Sequence, residues 1–394
     1  MPVTPASERR IVWVLGAGFS YSLGGPLLND FFTESLNQKL FAVAGVRGIP
    51  SLNAIVNDVD RVYVARDAHR APVRGEDRPW KNAEEFLEVV DTASDEQVGA
   101  GGRDAARAML DPFLDPSSDE NRYRNLTSDA RLYLAAACHL FVPMRATEVV
   151  ERLERWKPYR RWCNELLEDR DAVITFNYDM VPEVASAGRL RPMAPVGTSR
   201  PEIRSRKRTT YLKLHGSVDW SIEQDQLVVD QDPVELLRSG RLVALAGPGP
   251  SKLSFAQGTS VDLWAMAEER VREAHVVVFV GYRFPETDNH AMRQILTALA
   301  ANREEPLTVR IVLGPDVGSK EIVRARALIE SALRSRSPVA EPEARRLQEN
   351  RRLGRRTPVV AVVPLFAEDL LTLYSRDDLH FWGTADEPGA PRDR

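Results

Sequence analysis

The sequence predicts an α/β protein, in which a mostly parallel sheet is interrupted by an inserted helical subdomain. Several short segments are apolar throughout, which is typical of strands buried on both faces of a parallel sheet. Segments with helical spacing of apolar residues separate these strands along the chain. The 394 residues are 43% hydrophobic and 28% charged, which is the composition of a globular protein.

The first predicted strand, Ile11–Leu15 ("IVWVL"), runs directly into glycines. From about residue 29 to residue 170 the pattern becomes mainly helical, as in "LLNDFFTESLNQKL", "NAEEFLEVV" and "DARLYLAAACHLFV". We therefore expect a core formed by residues 1–30 and 171–320, with a helical subdomain over residues 31–170 inserted after the first strand.

Further strands are predicted in the second half of the chain. "DAVITFNYD" (171–179), "YLKLHGSVDW" (211–220) and "HVVVFVGY" (275–282) are each rich in buried-strand residues. A β pair, "QLVV" and "RLVALAGPGP", lies between the second and third of these, and "LTVRIVLGPD" forms the next strand. Residues 321–394 are expected to form a helix and strand extension that ends in a disordered tail, "GTADEPGAPRDR".

Composition excludes several classes of protein. The net charge of −4 and the pI near 6.0 give no global attraction to nucleic acid or to an anionic membrane. The basic segments Arg200–Arg208 and Arg324–Arg356 could contact nucleic acid, but we favour their interpretation as solvated faces. Two cysteines suit a reducing compartment and cannot form a disulfide framework. Since no signal peptide or stretch of about 20 apolar residues is found, we expect a cytoplasmic protein without a membrane contact.

The glycines after the first strand raise the question of a phosphate-binding turn. Gly16 and Gly18 match the first two positions of the dinucleotide-binding pattern G-x-G-x-x-G, but Tyr21 stands at the third. Gly16 would permit a tight turn and Gly18 a close approach of pyrophosphate. A dehydrogenase is disfavoured by the missing third glycine, and a purely structural turn remains an equal alternative. No P-loop motif occurs in the sequence.

Polar residues follow three other predicted strands. Asn177 and Asp179 end one strand, His215 ends the next, and Tyr282 and then Asp288 follow the most apolar strand. Each has an ordinary explanation alone, since a histidine can be a hydrogen-bonded structural residue and an asparagine or aspartate a turn former or helix cap. Ligands in open α/β sheets bind outside the carboxyl ends of the strands, so the convergence of these residues predicts a binding site there.

The segments "GAGFS", "TFNYD", "KLHGSVDW" and "VGYRFPETD", in this order, resemble the sirtuin-like family and specifically its prokaryotic, defence-associated, NAD-hydrolysing branch. The resemblance implies a Rossmann-like core. Phe176 stands where the deacylases of the family have glutamine, and two cysteines cannot build their four-cysteine zinc module. Arg283 stands where the family often has a small residue.

The resemblance also implies roles for individual residues. Asn177 would orient the ribose and the attacking water, His215 would accept a proton, and Asp179 would hold the nicotinamide. The residues expected to line the rest of the NAD⁺ site are Gly16, Ala17, Gly18, Phe19, Ser20, Gly281, Tyr282 and Asp288. No metal is expected, because the histidines have no metal-ligand spacing.

The function implied is an NAD⁺ glycohydrolase that uses NAD⁺ as its substrate and depletes it in antiphage defence. Because the segment after the motifs is too short for a sensor domain, we expect gating through a homo-oligomer and a separately encoded partner. A HerA-type ATPase is the first expectation for that partner and a short Argonaute the second. A zinc-free NAD-dependent deacylase and a non-catalytic sensor of NAD or ADP-ribose remain alternatives.

Overall fold

The computed structural model of the chain has two β-sheets among the residues that it describes. The structure describes residues 8–64, 80–96, 98–114, 121–143, 153–196, 198, 209–224, 226–247, 255, 258, 261–285, 288–304, 307–335 and 359–380. The predicted disordered tail and the basic segment Arg200–Arg208 lie outside these residues, and the segment Arg324–Arg356 is described only as far as residue 335. Across the described ranges no helix is long and apolar enough to cross a membrane.

The larger sheet has six parallel strands in the order β3-β2-β1-β7-β8-β9, and the smaller has three antiparallel strands in the order β5-β4-β6. The strands are β1 (Ile11–Leu15), β2 (Ala172–Thr175), β3 (Thr210–Lys213), β4 (Gly216–Glu223), β5 (Gln226–Val228), β6 (Val243–Leu245), β7 (Val276–Val280), β8 (Thr308–Val312) and β9 (Val359–Val362). The predicted α/β class with a Rossmann-like parallel sheet is therefore confirmed.

Among the described residues, five longer α-helices and one short α-helix lie between β1 and β2, and the longer five account for most of the predicted helical insertion. They are α1 (Glu34–Arg47), α2 (Ser51–Tyr63), α3 (Ala83–Ser94), α4 (Ala100–Leu110) and α5 (Arg122–His139), and the short α6 (Lys157–Arg161) follows them. Their apolar faces pack together and onto Val218, Val243 and Leu245 of the smaller sheet. The insertion is thus anchored to the core, although its limits at residues 31 and 170 remain predictions.

Of the remaining described helices, α8 (Pro233–Ser239) packs with the inserted helices and the smaller sheet, and the others cover the parallel sheet or flank its strand ends. The others are α7 (Val181–Ala185), α9 (Val261–Arg272), α10 (Asn289–Ala300), α11 (Lys320–Arg334), α12 (Ala367–Leu373) and α13 (Arg376–His380). Alternate residues of β1 point to opposite faces, as the period of a strand requires. Val12 and Val14 pack on the α9–α11 side, whereas Trp13 packs on the other face with Trp156 and Trp162.

The C-terminal extension belongs to the same sheet. Strand β9 pairs in parallel with β8, and Leu370 and Leu371 of α12 are buried in the face that contains Trp13. Arg376 of α13 forms two hydrogen bonds to the buried Asp171, which immediately precedes β2. The last described segment is therefore fixed at the amino end of the sheet.

The order of the strands reverses at β1. The chain adds β2 and β3 on one side of β1 and β7, β8 and β9 on the other, which creates a crevice at the carboxyl ends of β1 and β7. Leu15, the last residue of β1, is in register with Thr175 on one side and Val280 on the other. The residues that follow these three positions therefore meet at one edge of the sheet.

Two sequence predictions are corrected in detail. The predicted strand over residues 211–220 is two strands, because Gly216 has a left-handed backbone with φ of 81° and redirects the chain into the smaller sheet. A Cβ at Gly216 would lie 2.0 Å from the carbonyl oxygen of Ala244, so only glycine fits. The sequence predicts that β5 and β6 pair with each other, but in the structure each of them pairs with β4.

Candidate functional site

The turn after β1 packs tightly against the turn after β7. A Cβ on Gly16 would lie 2.6 Å from the carbonyl oxygen of Gly281, and a Cβ on Gly18 would lie 2.8 Å from its Cα. Gly281 itself has a φ of 69°, and a Cβ there would lie 2.4 Å from the nitrogen of Phe19. The three glycines are thus required by contact between the two turns, whatever ligand the turns hold.

The N–H groups of the glycine loop are largely used within the protein. Gly16 N donates to the carbonyl of Val280 at 3.0 Å, and Gly18 N donates to the carbonyl of Gly281 at 3.2 Å. Phe19 N donates to the carbonyl of Gly16 at 2.8 Å and begins a short 3₁₀ turn in place of a long helix. These three N–H groups are therefore already bonded within the protein in this conformation, and the role of the loop in lining an NAD⁺ site stays a prediction. The exposed surface of the turn is formed by Ala17.

The turn after β2 is hydrogen-bonded to the glycine loop. Asn177 is half-buried, and its Nδ2 donates to the carbonyl of Gly16 at 3.0 Å and to Ser20 Oγ at 3.4 Å. Ser20 Oγ donates to Asp179 Oδ2 at 2.7 Å, and Asp179 Oδ1 accepts from the N–H of Val181 at the start of α7 at 3.0 Å. Asp179 is buried, which raises the pKa of its carboxyl group. The structure therefore brings together Asn177, Asp179 and Ser20 as the sequence predicted.

His215 reaches the same edge from the end of β3. Its Nε2 lies 3.5 Å from Asp288 Oδ1, and both side chains are buried. The hydroxyl of Tyr282 donates to the other carboxylate oxygen, Asp288 Oδ2, at 3.3 Å. A histidine beside a carboxylate that is itself hydrogen-bonded is an arrangement suited to accept and hold a proton. The sequence predicted all three residues as site residues but not their mutual contacts.

Aromatic rings surround the His215 imidazole. Phe176 lies with its ring centroid 5.0 Å from that of His215 and stacks on Tyr282 at 4.3 Å. Trp264 of α9 contacts Phe176 from another side, at 6.1 Å between ring centroids. The residue that distinguishes "TFNYD" from the deacylase motif is therefore a wall of the histidine pocket.

A buried lysine behind the turn is a functional candidate that sequence reasoning missed. Lys213, the last residue of β3, is fully buried and donates to the carbonyl of Asp179 at 2.5 Å and to Glu183 Oε1 at 3.2 Å. Tyr211 donates to the other oxygen of Glu183 at 3.2 Å. The sequence signal that could have identified it was a lysine between Leu212 and Leu214 in a predicted buried strand.

Other polar and aromatic residues near these strands make structural contacts. Trp220 is fully buried in the core and serves packing. Asp219 is buried and accepts a hydrogen bond from Ser217. His275 accepts from the N–H of Arg10 at the opposite end of the sheet. Arg283 is exposed.

No metal site is evident in the part of the chain that the structure describes, where no group of three or more metal-ligating side chains is close enough to hold an ion. Both cysteines, Cys138 and Cys163, are buried and form no disulfide. The polar groups at the crevice are therefore the ones from which a chemical role must be argued.

Comparison with known protein families gives one match. Residues 171–334 match the model of a family described as the SIR2-like domain, and this segment contains Asn177, His215 and Asp288 but not the glycine loop. A comparison with curated proteins finds no match. The family match supports the sirtuin-like resemblance and an NAD-related function in general.

Proposed function

We propose that this chain is an NAD⁺ glycohydrolase, which cleaves NAD⁺ to ADP-ribose and nicotinamide. The observation that carries the proposal is the convergence of Asn177 with the pair His215–Asp288 at the crevice between β1 and β7. The SIR2-like match over the segment that contains these residues supports NAD⁺ as the substrate.

The reaction depends more on the position of the attacking water and of fixed polar groups than on a strong general acid. Cleavage of the bond between nicotinamide and ribose passes through an oxocarbenium-like state, as in glycoside hydrolysis. The pyridinium ring is cationic in NAD⁺ and leaves as neutral nicotinamide with the bonding electron pair, so no proton has to be supplied to it. A positioned water and fixed polar groups can therefore provide most of the rate enhancement.

Asn177 would orient the attacking water or a ribose hydroxyl. Its Nδ2 is directed to the carbonyl of Gly16, which fixes the rotation of the amide. Its Oδ1 then serves as an acceptor at the crevice. The half-buried position of this side chain is consistent with contact to a substrate.

His215 would take the proton that water loses as the new C–O bond forms at the ribose carbon. Asp288 would orient the imidazole and stabilise the imidazolium that results, because the two side chains face each other at 3.5 Å. Phe176 and Tyr282 exclude bulk water from the ring and thereby strengthen this electrostatic interaction.

The biological role that we propose rests on the resemblance in sequence. Depletion of NAD⁺ would stop phage propagation in an infected cell, with the protein acting in the cytoplasm as a homo-oligomer. A separately encoded HerA-type ATPase would gate the activity, and a short Argonaute is the second candidate.

Product analysis separates the glycohydrolase from its alternatives. The purified chain is incubated with NAD⁺, with and without an acetyl-lysine peptide and with and without a HerA-type ATPase. A glycohydrolase yields nicotinamide and ADP-ribose without the peptide. A deacylase yields nicotinamide only with the peptide, and a sensor yields none under any condition; either result would overturn the proposal.

A further inference from the structure

We infer that Lys213 is a positioning residue for the proposed hydrolysis, because its ammonium group holds the turn that presents Asn177. The inference rests on the proposed function for its catalytic consequence. The claim that Lys213 holds the turn does not depend on the proposed function, because it rests on the contacts of one fully buried lysine.

The Lys213 side chain contacts three acceptors on the turn and on the helix that follows it. Its Nζ lies 3.3 Å from the carbonyl oxygen of Tyr178, 2.5 Å from that of Asp179 and 3.2 Å from Glu183 Oε1. An ammonium group has three donors and no acceptor, so this set matches its full capacity. The two residues directly after Asn177 are thus bound through their backbone to a single charged group.

The turn then transmits this placement to the glycine loop. Asp179 accepts a hydrogen bond from Ser20, and Asn177 donates to the carbonyl of Gly16. A shift of the two carbonyls held by Lys213 would move Asn177 and its partners together. The expected consequence is a misplaced Asn177 amide with the rest of the fold intact.

The same strand end also places His215. Lys213 closes β3 in register with Thr175 of β2, and Leu214 N continues the ladder to the carbonyl of Thr175 at 3.1 Å. His215 follows one residue later. The end of β3 therefore determines the positions of both candidate catalytic side chains. It positions His215 through the backbone and Asn177 through the hydrogen bonds of Lys213.

The charge balance shows that Lys213 does more than neutralise one partner. Asp179, Glu183 and Asp219 are buried around it, and burial raises the pKa of each of these carboxyl groups, while the nearby Lys213 charge opposes the shift. Burying charged groups is costly unless they are paired, and apolar replacements of a buried ion pair are often more stable. If Lys213 only stabilised the fold, Lys213 and Glu183 could be replaced together without a loss of activity. If Lys213 positions Asn177, the double replacement still lowers the activity.

The test compares Lys213→Met, Glu183→Gln and the double variant in nicotinamide release and in thermal unfolding. We expect kcat of Lys213→Met to fall about 10- to 100-fold, with KM changed less than about threefold, as for a small displacement of a catalytic group. In the double variant, loss of the Glu183 charge should restore part of the melting temperature while kcat stays low. Recovery of kcat together with stability would overturn the inference.

The matched control is Arg376→Met, which breaks a buried ion pair with Asp171 at the opposite end of the sheet. The melting temperature of Arg376→Met should fall about as far as that of Lys213→Met. Its kcat per folded molecule should stay within about twofold of the wild type, because the ion pair is remote from the crevice. A kcat loss in Arg376→Met equal to that in Lys213→Met would contradict a positioning role.

Hydrogen–deuterium exchange separates this inference from the proposed function. If the wild type releases no nicotinamide, the proposed function fails, and exchange over residues 176–186 still tests the lysine. Faster exchange of this segment in Lys213→Met and in the double variant than in Arg376→Met supports the inference. Equal exchange in these variants overturns it.

Discussion

Asp288 faces His215 with its Oδ1 3.5 Å from the imidazole Nε2, while its Oδ2 accepts a hydrogen bond from Tyr282. The three residues come from two different strand ends, and the crevice between β1 and β7 is where such ends converge. The carboxylate can therefore orient the histidine only in the folded protein.

Asp288→Asn is expected to reduce kcat for nicotinamide release by about 10- to 100-fold. The amide keeps the shape of the side chain but cannot stabilise an imidazolium. Tyr282→Phe is the matched comparison, since it removes one hydrogen bond to Asp288 but leaves the carboxylate charge in place, and it should cost only a few-fold in kcat. Steady-state kinetics on folded samples measures both. An Asp288→Asn enzyme as fast as the wild type would show that the carboxylate has no part in proton transfer.

Gly18→Ala is expected to destabilise the protein by about 1–3 kcal/mol, because its Cβ would lie 2.8 Å from the Cα of Gly281 and neither backbone can move freely. Gly45→Ala in α1 is the control, since nothing lies within 4 Å of a Cβ there. A helix-interior glycine replaced by alanine should gain about 0.5–1 kcal/mol. Denaturant unfolding compares the two variants. If Gly18→Ala is as stable as the wild type, the close contact between the two turns is incorrect.

The stability contributed by Glu183 should depend on pH. Burial raises the pKa of Glu183 from its ordinary value of 4.5 to about 7, so the folded state binds more protons than the unfolded state between these values. The contribution is complete below about pH 4.5 and is lost as pH rises through about 7.

The free energy of unfolding of the wild type, relative to Glu183→Gln, should therefore fall by roughly 2–3 kcal/mol between pH 5 and pH 8. Urea unfolding at several pH values measures this difference. Glu165→Gln, at an exposed position, controls for the substitution itself. A constant difference between the wild type and Glu183→Gln across this range would contradict the raised pKa of Glu183.

The parallel class of the sheet and the convergence of polar residues at its strand ends followed from patterns that depend on local sequence, whereas the order of the strands did not. Apolar runs identified β1, β2, β7 and β8, and parallel strands place their carboxyl ends at one edge by geometry. Asn177, His215 and Asp288 were predictable because each lies on the segment that follows a predicted strand, β2, β3 and β7 respectively.

The contacts between residues far apart in the chain were not predictable. The glycine loop reads as a phosphate-binding turn in sequence, but the partner that requires Gly16 and Gly18 is Gly281, more than 260 residues away. The role of Lys213 depends in the same way on carbonyl groups of another turn, which no periodicity reveals. The split between β3 and β4 depends on the left-handed backbone of one glycine, Gly216.

The most direct test of the central claim is the initial rate of nicotinamide release from NAD⁺, without any acylated peptide, by the wild type and by Asn177→Ala. Both are assayed alone and with a HerA-type ATPase, after circular dichroism has shown equal folding. We expect release by the wild type in at least one of these conditions and a loss of at least about 100-fold in Asn177→Ala, because the amide positions the reacting groups. Equal rates for the two proteins, or no release by the wild type in either condition, would contradict an NAD⁺ glycohydrolase built on this site.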